Sequence, residues 1–177
     1  MIVVYCFSCN KKTDMEGFKK PADSDIKKIV ESIIENDSLQ KKGDEKIFIN
    51  LIKVKVIFTE LGKPYMPSLD VVYDFEIKNL KMNLDQQDLK YLQFQNANGI
   101  PSQLSEKFNK GIVVTENKEM EGQLVYRFSY PIFTMHNEAY VKMVSYISGH
   151  FLDCRGYVLQ KENDKWKVIE TKILFSH

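Results

Sequence analysis

Residues 124–176 read LVYRFSYPIFTMHNEAYVKMVSYISGHFLDCRGYVLQKENDKWKVIETKILFS, and their period decides the fold class. Leu124, Tyr126, Phe128 and Tyr130 alternate with other residues before Pro131 limits further pairing. Met135 to Glu138 turns the chain. Ala139, Val141, Met143, Ser145 and Ile147 then alternate with Tyr140, Lys142, Val144, Tyr146 and Ser148. Gly149 to Gly156 reads as a loop between glycines. Tyr157–Lys161 and Lys165–Glu170 flank Glu162-Asn163-Asp164, a hairpin connection, and Thr171 to Ser176 continues as strand. A period of two over consecutive short runs predicts an antiparallel meander.

Working upstream, Ile26, Ile29, Val30, Ile33 and Ile34 fall at i, i+3, i+4, i+7 and i+8, one face of a helix over 24–36. Asp23, Ser24 and Asp25 supply cap and first-turn acids. Residues 46–60 read as one long strand whose alternation changes phase between Leu51 and Ile52, the mark of a bulge or bend. Residues 69–78 give a cleaner strand, with Leu69, Val71, Tyr73, Phe75 and Ile77 on one face and Asp70, Asp74, Glu76 and Lys78 on the other. Such a wet face predicts a sheet covered on one side only. A second helix is expected over 85–96, a short third one from Ser102 to Phe108, and a brief strand at 112–115. The expected fold is therefore α+β: an N-terminal amphipathic helix packed on an antiparallel sheet that ends in a C-terminal β-meander.

The chain has 177 residues, room for one domain, with 44% apolar and 12% aromatic residues. That composition builds a core and excludes general disorder. Lys and Arg total 25 against 24 acids, and only Arg127 and Arg155 are arginines. A balanced charge with little Arg argues against a nucleic-acid partner, which needs phosphate neutralisation and bidentate contacts. No run of about 18 apolar residues is present.

Met1 to Ser8 carries no charge, Cys9 follows, and Asn10, Lys11 and Lys12 begin an abruptly polar stretch. An apolar run, a small residue and a cysteine resemble the end of a bacterial lipoprotein signal. That resemblance implies cleavage after Ser8 and lipid on Cys9. It departs from the pattern in bulky Phe7 and in Cys6, and in a short run without preceding positive charge. A buried first strand over Ile2–Phe7 is the alternative. On the lipoprotein reading residues 1–9 are a partial signal with the lipidation site, 10–21 a flexible tether, and 22–177 a single domain. The C-terminal stretch also resembles that of uncharacterised small lipoproteins of Gram-negative bacteria. Phe128-Ser129-Tyr130-Pro131-Ile132-Phe133, Gly156-Tyr157-Val158-Leu159 and Asn163-Asp164-Lys165-Trp166-Lys167-Val168 carry the likeness. Tyr130, Asp164 and Phe175 depart from it. The resemblance implies location and fold, not chemistry.

Few residues form constellations with catalytic potential. His150, Asp153 and Cys154 lie in one short stretch, where a thiol beside an imidazole could act as a nucleophile. Cys6 and Cys9 have C-x-x-C spacing without a second pair. His136 reads as a solvated turn residue, and Asp70, Asp74 and Glu76 as a wet strand face. No Gly-rich phosphate loop, GxSxG or HExxH is present. No cofactor or metal is expected.

The expected function is a membrane-anchored envelope lipoprotein whose domain lies in the periplasm or at the cell surface. It would bind a protein partner or a small ligand through the loops at 61–68 and 149–156, immunity-type inhibitors included. The alternative is a small hydrolase centred on His150 and Cys154. A C-terminal meander requires Trp166 and Tyr157 to be at least half buried and the 162–164 connection to be a tight turn. Helix across 139–148 would contradict it.

Overall fold

Strand periodicity alone does not say how many faces of a sheet are covered, and one strand shows the answer. The computed structural model describes residues 17–39, 46–57, 71–73, 76–77, 82, 84–98, 107–109, 111–115 and 122–176. Among these the fold is mixed α+β, with two helices and a mostly antiparallel sheet ending in C-terminal strands. The helices are α1 (Asp23–Asn36) and α2 (Gln86–Asn98). The strands are β1 (Ile47–Ile52), β2 (Lys55–Ile57), β3 (Val71–Tyr73), β4 (Ile112–Val114) and β5 (Leu124–Ser129). They continue with β6 (Ile132–Phe133), β7 (Glu138–Ile147), β8 (His150–Glu162) and β9 (Lys165–Ser176).

The main sheet runs β4-β1-β5-β7-β8-β9, with β6 also on β7, and β2-β3 form a separate pair. Seven consecutive residues of β7, Ala139 to Ser145, are buried, so both its faces are covered. One face presents Ala139, Val141 and Met143 to a core shared with Ile26, Ile29, Val30, Ile33 and Ile34 of α1. The other presents Tyr140 to a second core with Val56, Val72, Ile77, Met82 and Leu92. α2 contributes to both, Tyr91 to the first and Leu92 to the second.

Polar contacts fix these layers. Asp25 of α1 accepts hydrogen bonds from Trp166 Nε1 (3.0 Å) and Lys161 Nζ (2.9 Å). At the other end of α1, Asp37 accepts from Tyr157 Oη (2.6 Å) and Arg155 (2.8 Å). α2 grips strand backbone through two amides. Gln95 pairs with both backbone groups of Phe133, and Asn96 with both of Val56. Phe18 lies against Tyr91 and Phe94 of α2, and Tyr91 Oη donates to the Lys19 carbonyl.

Trp166 is 7% exposed and Tyr157 fully buried. Asn163 and Asp164 form a two-residue turn, both at positive φ (49° and 61°), the conformation that matches strand twist in a tight hairpin.

Several expectations are corrected. Residues 46–60 are not one bent strand. β1 lies in the main sheet and β2 in the small one, so the change of phase marks a change of sheet. The sheet is not wholly antiparallel either, because β1 runs parallel to both β4 and β5. Of the expected strand 69–78, the described residues are Val71–Tyr73, which is strand, and Glu76 and Ile77, which lie in a helical turn, both buried. Asp70 and Asp74 lie outside the described residues. The stretch 149–156 is not a loop. Ser148 and Gly149 make a two-residue turn, and β8 begins at His150. The cap of α1 is Ala22, which has no side-chain oxygen to bond the first-turn amides, while Asp23 and Asp25 lie in the first turn as expected. Residues 1–16, which include the signal-like run and Cys9, the expected loop 61–68 and residues 102–106 of the expected third helix also lie outside the described residues; Phe108 is not helical.

Ile33 is fully buried in the α1 stripe. Ile33→Ala is expected to lower the unfolding free energy by about 2–5 kcal/mol, measured by urea denaturation, through lost burial and the cavity left behind.

Candidate functional site

The pair His150 and Cys154 is separated by the geometry of β8. Phe151 pairs with Tyr146 and Cys154 with Val144, so Phe151 and Cys154 share the face of β7 that carries Tyr140. A bulge at Leu152 keeps them on that face, and His150, the neighbour of Phe151, points to the other. His150 is exposed, whereas Cys154 is fully buried, and burial pushes its thiol up to about 12. A thiol held protonated and away from the imidazole is not an activated nucleophile. Asp153 is likewise engaged. It accepts from Ser145 Oγ and from Arg155 Nε (2.8 Å).

Beside Cys154 lies a buried ionic group that the sequence reading did not assemble. Lys142 and Glu76 have side chains 0% and 2% exposed, with Nζ 3.1 Å from Glu76 Oε2. Lys142 Nζ also donates to the Val71 carbonyl (3.0 Å), and Tyr140 Oη donates to Glu76 (3.2 Å). Gly156 is the β8 partner of Lys142 and puts no side chain beside it. Glu76 is therefore a core anion, not part of a wet face. The group joins β7 to β3 and the helical turn after it, and acts as a structural tie.

His136 is exposed, and its ring is engaged by two carboxylates. Its Nε2 lies 3.1 Å from Asp85 Oδ2 and 3.5 Å from Asp88 Oδ2. The two carboxylates also cap α2 reciprocally, Asp85 Oδ1 accepting from Asp88 N (2.8 Å) and Asp88 Oδ2 from Asp85 N (3.1 Å). Asp88 Oδ1 accepts from Met135 N (2.6 Å), tying the turn before β7 to the start of α2. Asp85, Asp88 and His136 offer three donor atoms within 4.8 Å, a set that could hold a metal ion. Each carboxylate is already committed to backbone N–H groups, so the cluster works as a latch in its own right. His136 is in a turn, as expected, but bonded to the residue that caps α2, 51 positions away in sequence.

The remaining surface feature is β9. It ends the main sheet among the described residues and is 12 residues long. Ile169 is 57% and Ile173 is 61% exposed. Elsewhere, a groove of about 420 Å³ is lined by Glu31, Ile34, Glu35, Ser38, Asn109 and Ile112. Glu31 spans it by accepting from the Asn109 N–H (2.9 Å). Comparisons with family models, curated proteins and solved structures return no match.

Two outcomes test this description. Lys142→Met leaves the Glu76 carboxylate buried without its cation and is expected to cost about 3–5 kcal/mol in denaturant unfolding. The double variant Lys142→Met, Glu76→Leu is expected to recover most of that loss.

The latch is read by pH. The hydrogen bond to Asp85, then the charge of Asp88, raise the pKa of His136 above its ordinary 6.5. The hydrogen bond from the Asp88 backbone, then His136, lower that of Asp85 below 3.8. The His136 contribution is thus fully present below pH 6.5 and lost as pH rises through the folded value; that of Asp85 is present above 3.8 and lost as pH falls through its folded value. An NMR titration is expected to place His136 above 6.5 and to show a lower midpoint in Asp85→Asn.

Proposed function

We propose that the chain is a membrane-anchored envelope lipoprotein whose domain, an N-terminal helix packed on a sheet that ends in a meander, is a non-enzymatic interaction module. The observation that carries the interaction reading is the edge of β9, unpaired among the described residues, with Ile169 and Ile173 exposed within a 12-residue strand. An extended partner segment can add to such an edge, with backbone hydrogen bonds giving affinity and side chains giving selectivity. A protein partner suits it better than a small ligand, because the apolar groups lie exposed on a strand and do not line the groove beside α1. An immunity-type inhibitor is one protein of this kind. The rival hydrolase would need His150 and Cys154 together, and they sit on opposite faces of β8.

The anchor rests on the sequence: the uncharged run, Ser8 before Cys9, and the lysines after it. Phe18 is docked on α2, so nine residue steps lie between the lipid site and the folded domain. Fully extended, they reach at most about 30 Å. Lipidation would therefore hold the domain close to its membrane. One acyl chain gives marginal binding, and a second or third makes the attachment stable.

Two measurements in a Gram-negative host expressing the full gene test the two halves separately. Labelling with a fatty-acid analogue is expected to mark the protein and to vanish in Cys9→Ser; a soluble, unlabelled protein would refute the anchor. A photo-crosslinking residue at position 173 is expected to give a discrete protein adduct, while one at exposed Glu162 gives none. Absence of any adduct at 173 would refute the interaction surface.

A further inference from the structure

The edge of β9 has a sequence that is complementary to itself. Residues 168–174 read Val-Ile-Glu-Thr-Lys-Ile-Leu, with Thr171 at the centre. Opposite charges and like apolar groups stand at equal distances on either side: Glu170 and Lys172, Ile169 and Ile173, Val168 and Leu174. A twofold axis perpendicular to a sheet, passing through an antiparallel pair of identical edges, places each residue opposite its mirror position over a regular stretch, and in β9 that stretch is 170–173, because Ile169 and Leu174 are extra residues in the pairing with β8. Such an axis also keeps each sheet face on its own side, so the axis must fall on a residue.

Resting on the reading of β9 as an interaction surface, we infer that its partner is a second copy of this chain, paired edge to edge about Thr171. In this register Glu170 of one copy meets Lys172 of the other, and the same pair recurs across the axis. Thr171 meets its own copy, and Ile173 of each copy comes beside the bulged Ile169 of the other. Ile169, Thr171 and Ile173 are all exposed in the single chain, so edges that meet here would bury four isoleucines. Directly opposed ion pairs and aliphatic pairs are the units that stabilise antiparallel strands.

Neighbouring registers fail on the same criteria. An axis on Glu170 opposes two glutamates and sets Ile169 against Thr171. An axis on Lys172 opposes two lysines and sets Ile173 against Thr171. Of these three axes, only that on Thr171 sets unlike charges opposite each other. The lysine and glutamate thus do two things: they keep a generic apolar strand from pairing with this edge, and they complete the pairing with an identical one.

The experiment is sedimentation velocity of the full chain in reducing buffer over a range of concentrations. The wild type is expected to show a reversible monomer–dimer equilibrium. Glu170→Lys and Lys172→Glu each turn two attractive contacts into two repulsive ones, and each is expected to weaken dimerisation about tenfold or more. The double variant Glu170→Lys, Lys172→Glu restores both pairs with their signs exchanged and is expected to return to wild-type affinity. Circular dichroism of the single variants should be unchanged, since both side chains lie on the sheet edge. A wild type that stays monomeric, single variants that dimerise as well as the wild type, or a double variant as weak as the singles would each overturn the pairing. A monomeric protein that still forms a crosslink from position 173 to a different protein would sink the second-copy partner and leave the interaction reading standing.

Discussion

Burial of β7 on both faces is the constraint on which the rest of the structure depends. Seven consecutive buried residues cannot belong to a sheet with one wet side. Something must cover each face, and the chain supplies a different cover for each. α1 lies over Ala139, Val141 and Met143. The small β2-β3 pair and the segment around Ile77 and Met82 lie over Tyr140 and Val158. α2 sits where the two cores meet, with adjacent side chains, Tyr91 and Leu92, committed to opposite cores.

This arrangement explains where the polar groups go. A helix lying over a sheet needs its direction fixed, and apolar packing is not directional. Asp25 and Asp37 provide the direction, one near each end of α1, each bonded to two donors on the last strands. Lys142 faces the second core, and a cation there must have an anion. Glu76 is that anion, and pairing the two draws the helical turn after β3 onto β7. Such a pair adds little net stability compared with an apolar core, but it admits few alternative packings.

The legible part of the fold was the local part. The buried residues of α1 are the isoleucines and valine that recur at helical spacing. The 162–164 turn was visible because both flanks alternate with a period of two. What the sequence hid was non-local. The phase change at residues 51–52 is the same whether a strand bulges or leaves its sheet, and only the partners distinguish the cases. Gly149 and Gly156 looked alike, yet Gly149 takes φ +79° in a turn while Gly156 is mid-strand opposite Lys142. That error made His150 and Cys154 look like neighbours in a loop. His136 with Asp85, and Lys142 with Glu76, join residues 51 and 66 positions apart, and no local pattern connects them. The symmetry of 168–174, in contrast, was present in the sequence and gained meaning once β9 was seen to be an edge.

Native-state hydrogen exchange tests the central claim, that β7 with its two covers holds the domain together. The amides of Val141, Met143 and Val144 should open only with global unfolding, so that their exchange free energies equal the unfolding free energy from denaturant. Amides of β2 and of the last turn of α2 should open at lower cost. Exchange of the β7 amides well below the global value, with β1 or β4 slower, would contradict the account.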